Sequence, residues 1–206
     1  MEFSEVVQQR QSIKSYQPDK TINDAELKEL MQEVVLSPSS FNLQHWTFIA
    51  VRNPELRKKI QASAWNQEQV GDCSVLLVIC GKLNAHEDAH KIYQDTDQEI
   101  QDKVLPLINS FYDSKNSLQR DEAIRSASLA AMTLMLGAQN RGWATVPMIG
   151  FDPEAVSELV KLKPNYIPVM LMALGYKKED PRPRSYRRPI EEVVRLDTLD
   201  GPGLLG

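Results

Sequence analysis

Apolar positions along the chain change period several times. Leu27, Leu30, Met31, Val34 and Val35 recur at helical spacing after Asn23 and Asp24, either of which can cap a helix, and Ser37-Pro38 ends that pattern. Trp46 to Val51 then reads as a strand, Asn53-Pro54 opens a short helix, and Ser74 to Cys80 is a continuous apolar run expected to be a strand buried on both faces. From Leu83 to Arg120 the chain turns polar, which predicts exposed helix and loop rather than core, placed as a lid. Arg125 to Asn140 is apolar nearly all round, predicting a helix buried on most sides or shared with a second subunit, stopped by Arg141-Gly142. Trp143 to Ile149 predicts a strand ending at Gly150, Asp152-Pro153 caps and opens a further helix, and Ile167 to Leu174 predicts a last core strand. Helix and strand thus alternate without an internal repeat. The tail from Lys177 is rich in Pro and Arg and poor in core formers, which predicts an arm over a surface or a partner.

Composition narrows the field. With 206 residues, 42% apolar and 25% charged, the chain fits one globular domain spanning 1–206. A net charge of −4 and a pI near 5.5 argue against general binding to nucleic acid or anionic membrane, so any functional basic residues must be clustered locally. No apolar stretch approaches the roughly 20 residues of a membrane span, and Met1 to Glu5 lacks the character of a secretory signal, so the expected location is the cytoplasm. Cys73 and Cys80 are too few for a disulfide framework and read as reduced thiols.

The candidate chemistry lies in three stretches. Ser37-Pro38-Ser39-Ser40-Phe41-Asn42-Leu43-Gln44-His45-Trp46 crowds hydroxyls and amides at a helix-to-strand junction, a place suited to the edge of a polar, planar ligand. The plain alternative is turn chemistry, with Ser and Asn bonding their own backbone. Arg10, Ser12 and Lys14 alternate, so an extended segment would present a guanidinium, a hydroxyl and an ammonium on one side, suiting a phosphate and a carbonyl-rich ring. Arg184 to Arg188 add a basic cluster near the end. A competing motif is His86-Glu87-Asp88-Ala89-His90, which matches the H-E-x-x-H pattern of zinc peptidases, although it lies in a polar run. No Gly-rich dinucleotide or Walker-type loop is present.

Taken together, Arg10-x-Ser12-x-Lys14-x-Tyr16, Ser37-Pro38-Ser39-Ser40-x-Asn42-x-Gln44-x-Trp46, Gly142-Trp143-x-Thr145 running into Pro147 to Asp152, and the basic tail before Pro189 stand in the order of one family. The chain resembles the FMN-dependent nitroreductases over nearly its whole length. The resemblance implies an α+β nitroreductase-like fold with a central, mostly antiparallel sheet flanked by helices. It also implies an intertwined homodimer whose C-terminal arm, residues 177–206, wraps the partner.

The resemblance further implies roles for individual residues. Arg10 and Arg187 would bind the FMN phosphate, while Ser12 and Lys14 would address the ribityl chain and the pyrimidine side of the ring, with Gln11, between Arg10 and Ser12, in the same cofactor-binding run. Ser39, Ser40 and Asn42 would come from the other subunit and line the isoalloxazine. Asn66 and Gln69 would hydrogen-bond the ring, and Pro147, Met148, Ile149 and Gly150 would run along it near N5. His45 stands where many members have Pro, Gln69 where some have Lys, and Ile149 where some have Glu, leaving Lys14 as the main cation beside reduced flavin. Arg184 is one residue out of register with a second basic tail position. The implied activity is hydride transfer from NADH or NADPH through flavin N5 to nitroaromatic or quinone-type acceptors, without an obligatory side-chain acid or base. The alternatives are a flavin carrier or sensor that does not turn over, and the zinc peptidase built on His86, Glu87 and His90.

Overall fold

The computed structural model describes residues 1–204; the last two positions of the expected arm, 205 and 206, lie outside the described residues. Helices α1 (Phe3–Gln9) and α2 (Asp24–Val34) precede strand β1 (Trp46–Val51). Helices α3 (Pro54–Ala62) and α4 (Glu68–Asp72) lead to β2 (Val75–Lys82). A helical stretch follows, made of α5 (Ala89–Ile92), α6 (Gln98–Tyr112) and α7 (Asn116–Asn140). The chain then forms β3 (Ala144–Met148), α8 (Pro153–Leu159), β4 (Tyr166–Gly175) and, in the arm, the short α9 (Ile190–Val193). The strands form a four-stranded sheet in the order β1-β2-β4-β3, and every adjacent pair is antiparallel.

Side chains of the central strand β2 alternate between two cores. Leu76, Val78 and Cys80 face a cluster closed by Ile60, Val70 and Val156 from α3, α4 and α8, while Val75, Leu77 and Ile79 face one closed by Leu30, Val34, Ala127, Ala130 and Leu134 from α2 and α7. The strand expected to be buried on both faces is therefore the middle of a three-layer arrangement. Small residues on α7 allow it to lie against the sheet: a Cβ added at Gly81 of β2 would stand 2.9 Å from the Ala123 Cβ and carbonyl oxygen. Asn23 caps α2 by accepting from the Glu26 amide, while the Glu26 carboxylate accepts from the Asn23 amide, a reciprocal capping box.

The polar stretch 83–120 differs in part from its expectation. Most of it is exposed helix, but Ala85, Ala89, Ile108 and Tyr112 are buried together with Leu43 in a third, smaller core. Sparse apolar positions suffice there because the buried Tyr112 joins them and Phe41, Tyr93, Val104, Leu105 and Leu118 pack partly buried against the cluster. Among the described residues, no helix is long and apolar enough to cross a membrane.

Candidate functional site

After α1, Arg10 ends the helix and the chain runs extended along β3, with the Ile13 amide donating to the Thr145 carbonyl at 3.0 Å. Ile13 is buried, so Ser12 and Lys14 on either side of it are exposed, as alternation requires. Further on, the Gln17 amide donates to the Tyr176 carbonyl at 2.9 Å and the Lys178 amide to the Ser15 carbonyl at 3.0 Å, so the start of the arm lies beside this segment. Between them opens a cleft of about 500 Å³ whose lining includes Arg10, Ser12, Lys14, Arg182, Arg184 and Arg187. The expected phosphate residues, far apart in sequence, therefore meet.

The electrostatics of this cleft favour an anion. Burial lowers the pKa of the Arg10 guanidinium from its ordinary value, and the neighbouring Arg184 and Arg187 charges lower it further. Among the described residues, none of Arg10, Lys14, Arg184 or Arg187 is in an ion pair, and Asp180 on the cleft wall is taken by Lys177 at 2.5 Å. Glu179 also lines the cleft, but the cations Arg10, Lys14, Arg182, Arg184 and Arg187 outnumber the two carboxylates, so the cleft favours a ligand that adds negative charge. Arg184 also has a local duty, donating to the carbonyls of Gln8 at 2.6 Å and Arg10 at 3.1 Å and so tying the arm to the end of α1. Arg187 donates only to the carbonyls of Ser185 and Tyr186 among the described residues, both at 3.2 Å.

A second group sits in the turn before β1. Phe41, Asn42 and Gln44 hold φ values of 51°, 53° and 50°, left-handed conformations that are uncommon outside glycine. Ser39 Oγ accepts from the Gln44 amide at 2.9 Å, and Ser40 Oγ accepts from the Tyr112 hydroxyl at 2.8 Å. Both serines remain partly exposed, with Asn42 exposed beside them. This turn does not line the arginine cleft of its own chain.

The third group is the loop before α4, packed on the segment after β3. Gln67 Nε2 donates to the Gly150 carbonyl at 3.0 Å, and Gln69 Nε2 donates to Gln67 Oε1 at 2.9 Å and to Met148 Sδ at 3.4 Å. Gln69 and Met148 are both 5% exposed, so they stand behind the surface, while Asn66 is exposed and Ile149 is 84% exposed. Pro147 lies half-buried in β3, and the Trp65 ring covers Gly150 so closely that a Cβ there would come within 2.5 Å of it. The residues expected along a ring edge are thus gathered, but with Gln69 turned inward.

The H-E-x-x-H stretch does not form one helix. His86 lies in a 3₁₀ turn, buried and stacked on Tyr112 with ring centroids 5.5 Å apart, whereas His90 is exposed in α5 with Nδ1 3.0 Å from the Glu87 carbonyl oxygen. Among the described residues, no three His, Cys, Asp or Glu side chains are grouped to hold a metal ion. Sequence reasoning missed a neighbouring polar network: Ser126 Oγ donates to Glu122 Oε1 at 2.9 Å and lies 3.3 Å from His45 Nδ1, while Arg125 pairs with the other carboxylate oxygen of Glu122. Burial drives the His45 pKa down to about 4, opposed by Glu122 and assisted by His86. Glu122 and Ser126, one turn apart on α7, were the available signal. Cys73 and Cys80 are buried and unpaired, and burial raises both thiols, Cys80 to about 12, which leaves them unreactive.

The chain resembles known proteins along nearly all of its length. A family model described as the nitroreductase family matches residues 7–176. MhqN of Bacillus subtilis (strain 168), assigned by name to the NAD(P)H nitroreductases, is 37% identical, with 94% of this chain and 98% of that protein covered. Protein DrgA of Synechocystis sp. (strain ATCC 27184 / PCC 6803 / Kazusa) is also 37% identical, over 87% of this chain and 86% of its own. An Exiguobacterium sibiricum 255-15 structure described as a nitroreductase in complex with FMN superimposes with a TM-score of 0.90 at 29% identity, covering 96% of this chain and 98% of that one.

Proposed function

Since the chain belongs to the nitroreductase family, we propose that it is an FMN-dependent oxidoreductase that takes hydride from NADH or NADPH and delivers electrons to nitroaromatic or quinone-type acceptors in the cytoplasm. The observation that carries this reading is the arginine cleft, where Arg10, Arg184 and Arg187 share a wall without a carboxylate partner among the described residues. A phosphate monoester supplies the missing charge, and Arg can meet it with a bidentate fork. Donors elsewhere fit the rest of the cofactor. Ser39 and Ser40 each have an oxygen lone pair already occupied by a protein donor, so their hydroxyl hydrogens suit the acceptor-rich edge of a flavin.

When bound, FMN supplies a ring that accepts hydride at N5 and can release electrons singly or in pairs. The chain's own work is binding and charge. Arg10 and Arg187 would hold the phosphate end, Gln11 and Ser12 the sugar-like chain, and the Lys14 ammonium would offset negative charge on the pyrimidine side. The exposed Asn66 would meet the ring edge, and Gln69, bonded to Met148, would support the Pro147–Gly150 wall from behind. Ile149 and Trp65 leave an apolar, exposed border at which flat molecules can stack.

This reading takes a second copy of the chain as the source of the Ser39, Ser40 and Asn42 turn, which does not line the arginine cleft of its own chain. The exposed apolar side chains Leu36 of the α2 end, Leu129 and Met132 of α7, and Phe3 of α1 support such an interface. The test is a visible spectrum of the purified protein, the mass of any released cofactor, and steady-state oxidation of NADH and NADPH with a quinone and a nitroaromatic. Flavin bands, released FMN and turnover support the proposal. A bound flavin without turnover would instead indicate a carrier or sensor, and failure to take up added FMN would refute the cofactor assignment.

A further inference from the structure

The turn from Ser39 to Gln44 is costly to hold. Its left-handed residues Phe41, Asn42 and Gln44 each carry a backbone strain of about 1 kcal/mol or more, so the surroundings must over-determine it. Those surroundings are the helical stretch 83–120. Tyr93 Oη donates to the Phe41 carbonyl at 3.2 Å, the Phe41 ring meets Phe111 and Tyr112 edge-on at 5.7 and 6.3 Å, and Leu43 is buried with Ile108 and Tyr112. One contact reaches a side chain rather than backbone or packing: Tyr112 Oη donates to Ser40 Oγ at 2.8 Å.

That bond has a chemical consequence. A serine hydroxyl has one hydrogen, and with an incoming donor on its oxygen the hydrogen is directed elsewhere. Ser40 is partly exposed, so its hydrogen points to a ligand or to water, whereas Tyr112 is 1% exposed and held from behind by the stacked His86 ring and by Phe111, 5.0 Å away edge-on. Burial raises the Tyr112 pKa, so the hydroxyl stays protonated and remains a donor.

Building on the flavin reading above, we infer that Tyr112 is a positioning residue. By donating to Ser40 Oγ it fixes that hydroxyl as an outward donor to an acceptor atom of the flavin, and the helical stretch 83–120 is a structural part of the ring site rather than a detachable cover. Phe41 and Leu43 anchor the turn to this stretch, and Tyr112 sets the polarity of the hydroxyl it presents.

The experiment is a double-variant cycle with Tyr112→Phe and Ser40→Ala, using fluorescence titration of the apoprotein with FMN and with riboflavin at low temperature. Tyr112→Phe keeps every ring contact and removes only the hydroxyl. It is expected to loosen both flavins by the same factor, ~2–10-fold, the effect of one hydrogen bond. The double variant is expected to bind no worse than Ser40→Ala alone. Tyr93→Phe serves as the control for simple support of the turn, since its bond goes to a backbone carbonyl; its effect is expected to persist in the Ser40→Ala background. Unchanged flavin binding in Tyr112→Phe, or additive losses in the double variant, would overturn the inference. Wild-type protein that binds neither flavin would remove the flavin reading itself, and the inference with it.

Discussion

His45 makes the stability of this protein depend on mildly acidic pH. Its side chain is 1% exposed and its pKa falls from an ordinary 6.5 to about 4, chiefly through burial. Between those values the unfolded chain binds a proton that the folded chain refuses, so stability is fully present above pH 6.5 and is lost as pH falls toward 4. A shift of that size corresponds to ~3 kcal/mol over the full window, a large share of the ~5–15 kcal/mol typical of a domain. Asp88, whose pKa is held down to about 2 by Lys82 and then Lys91, loses its contribution below the ordinary carboxylate value of 3.8 and so acts at lower pH. Urea denaturation of wild type and His45→Gln at half-unit steps from pH 7.5 to 4.5 isolates the effect, because the other titrating groups are common to both proteins. The midpoint of wild type is expected to fall more steeply, with the curves converging or crossing near the acid end. Parallel curves would refute the reasoning and place a proton on the buried imidazole at a pH near its ordinary value.

Other perturbations follow from the same geometry. Arg187→Ala is expected to weaken FMN by ~10-fold or more while leaving riboflavin nearly unaffected, as loss of a charge-assisted phosphate contact requires; equal losses in parallel titrations would remove Arg187 from that role. Lys14→Ala is expected to weaken FMN retention and slow flavin reduction in stopped-flow mixing with NAD(P)H, and unchanged values for both would count against its place beside the ring. Gly81→Ala forces a Cβ to 2.9 Å from the Ala123 carbonyl and Cβ on α7, so β2 and α7 must separate. A loss of ~1–3 kcal/mol in chemical denaturation is expected.

Much of the fold was legible because its strongest signals are local. β1 begins and ends at the expected Trp46 and Val51, and Asn23 caps α2 as its position before the Leu27, Leu30 and Val34 stripe requires. α7 begins at Asn116 rather than near Arg125 because its first turns carry polar side chains that leave no apolar stripe to read. The direction of the strands was not local information. Alternating helix and strand is also the pattern of a parallel sheet, and the antiparallel order β1-β2-β4-β3 depends on which sheet edge each connection crosses. That expectation came from the ordered motifs and not from periodicity.

The site divides along the same line. Alternation placed Ser12 and Lys14 on one side of an extended segment because Ile13 has a core to enter. Gln69 shows the opposite case: a polar residue beside an exposed Asn66 gives no sign that it turns inward to Gln67 and Met148, since that depends on where β3 passes beneath α4. Tyr112 and Ser40 are 72 positions apart in the sequence, and a tyrosine in a polar run reads as surface until a second chain segment covers it. The H-E-x-x-H stretch follows from this burial as well. His86 lies flat on Tyr112 of the third core, while His90 is exposed to solvent. A pattern that spells zinc chemistry in a helix therefore serves, in this 3₁₀ turn, to back the side chain that orients a serine hydroxyl.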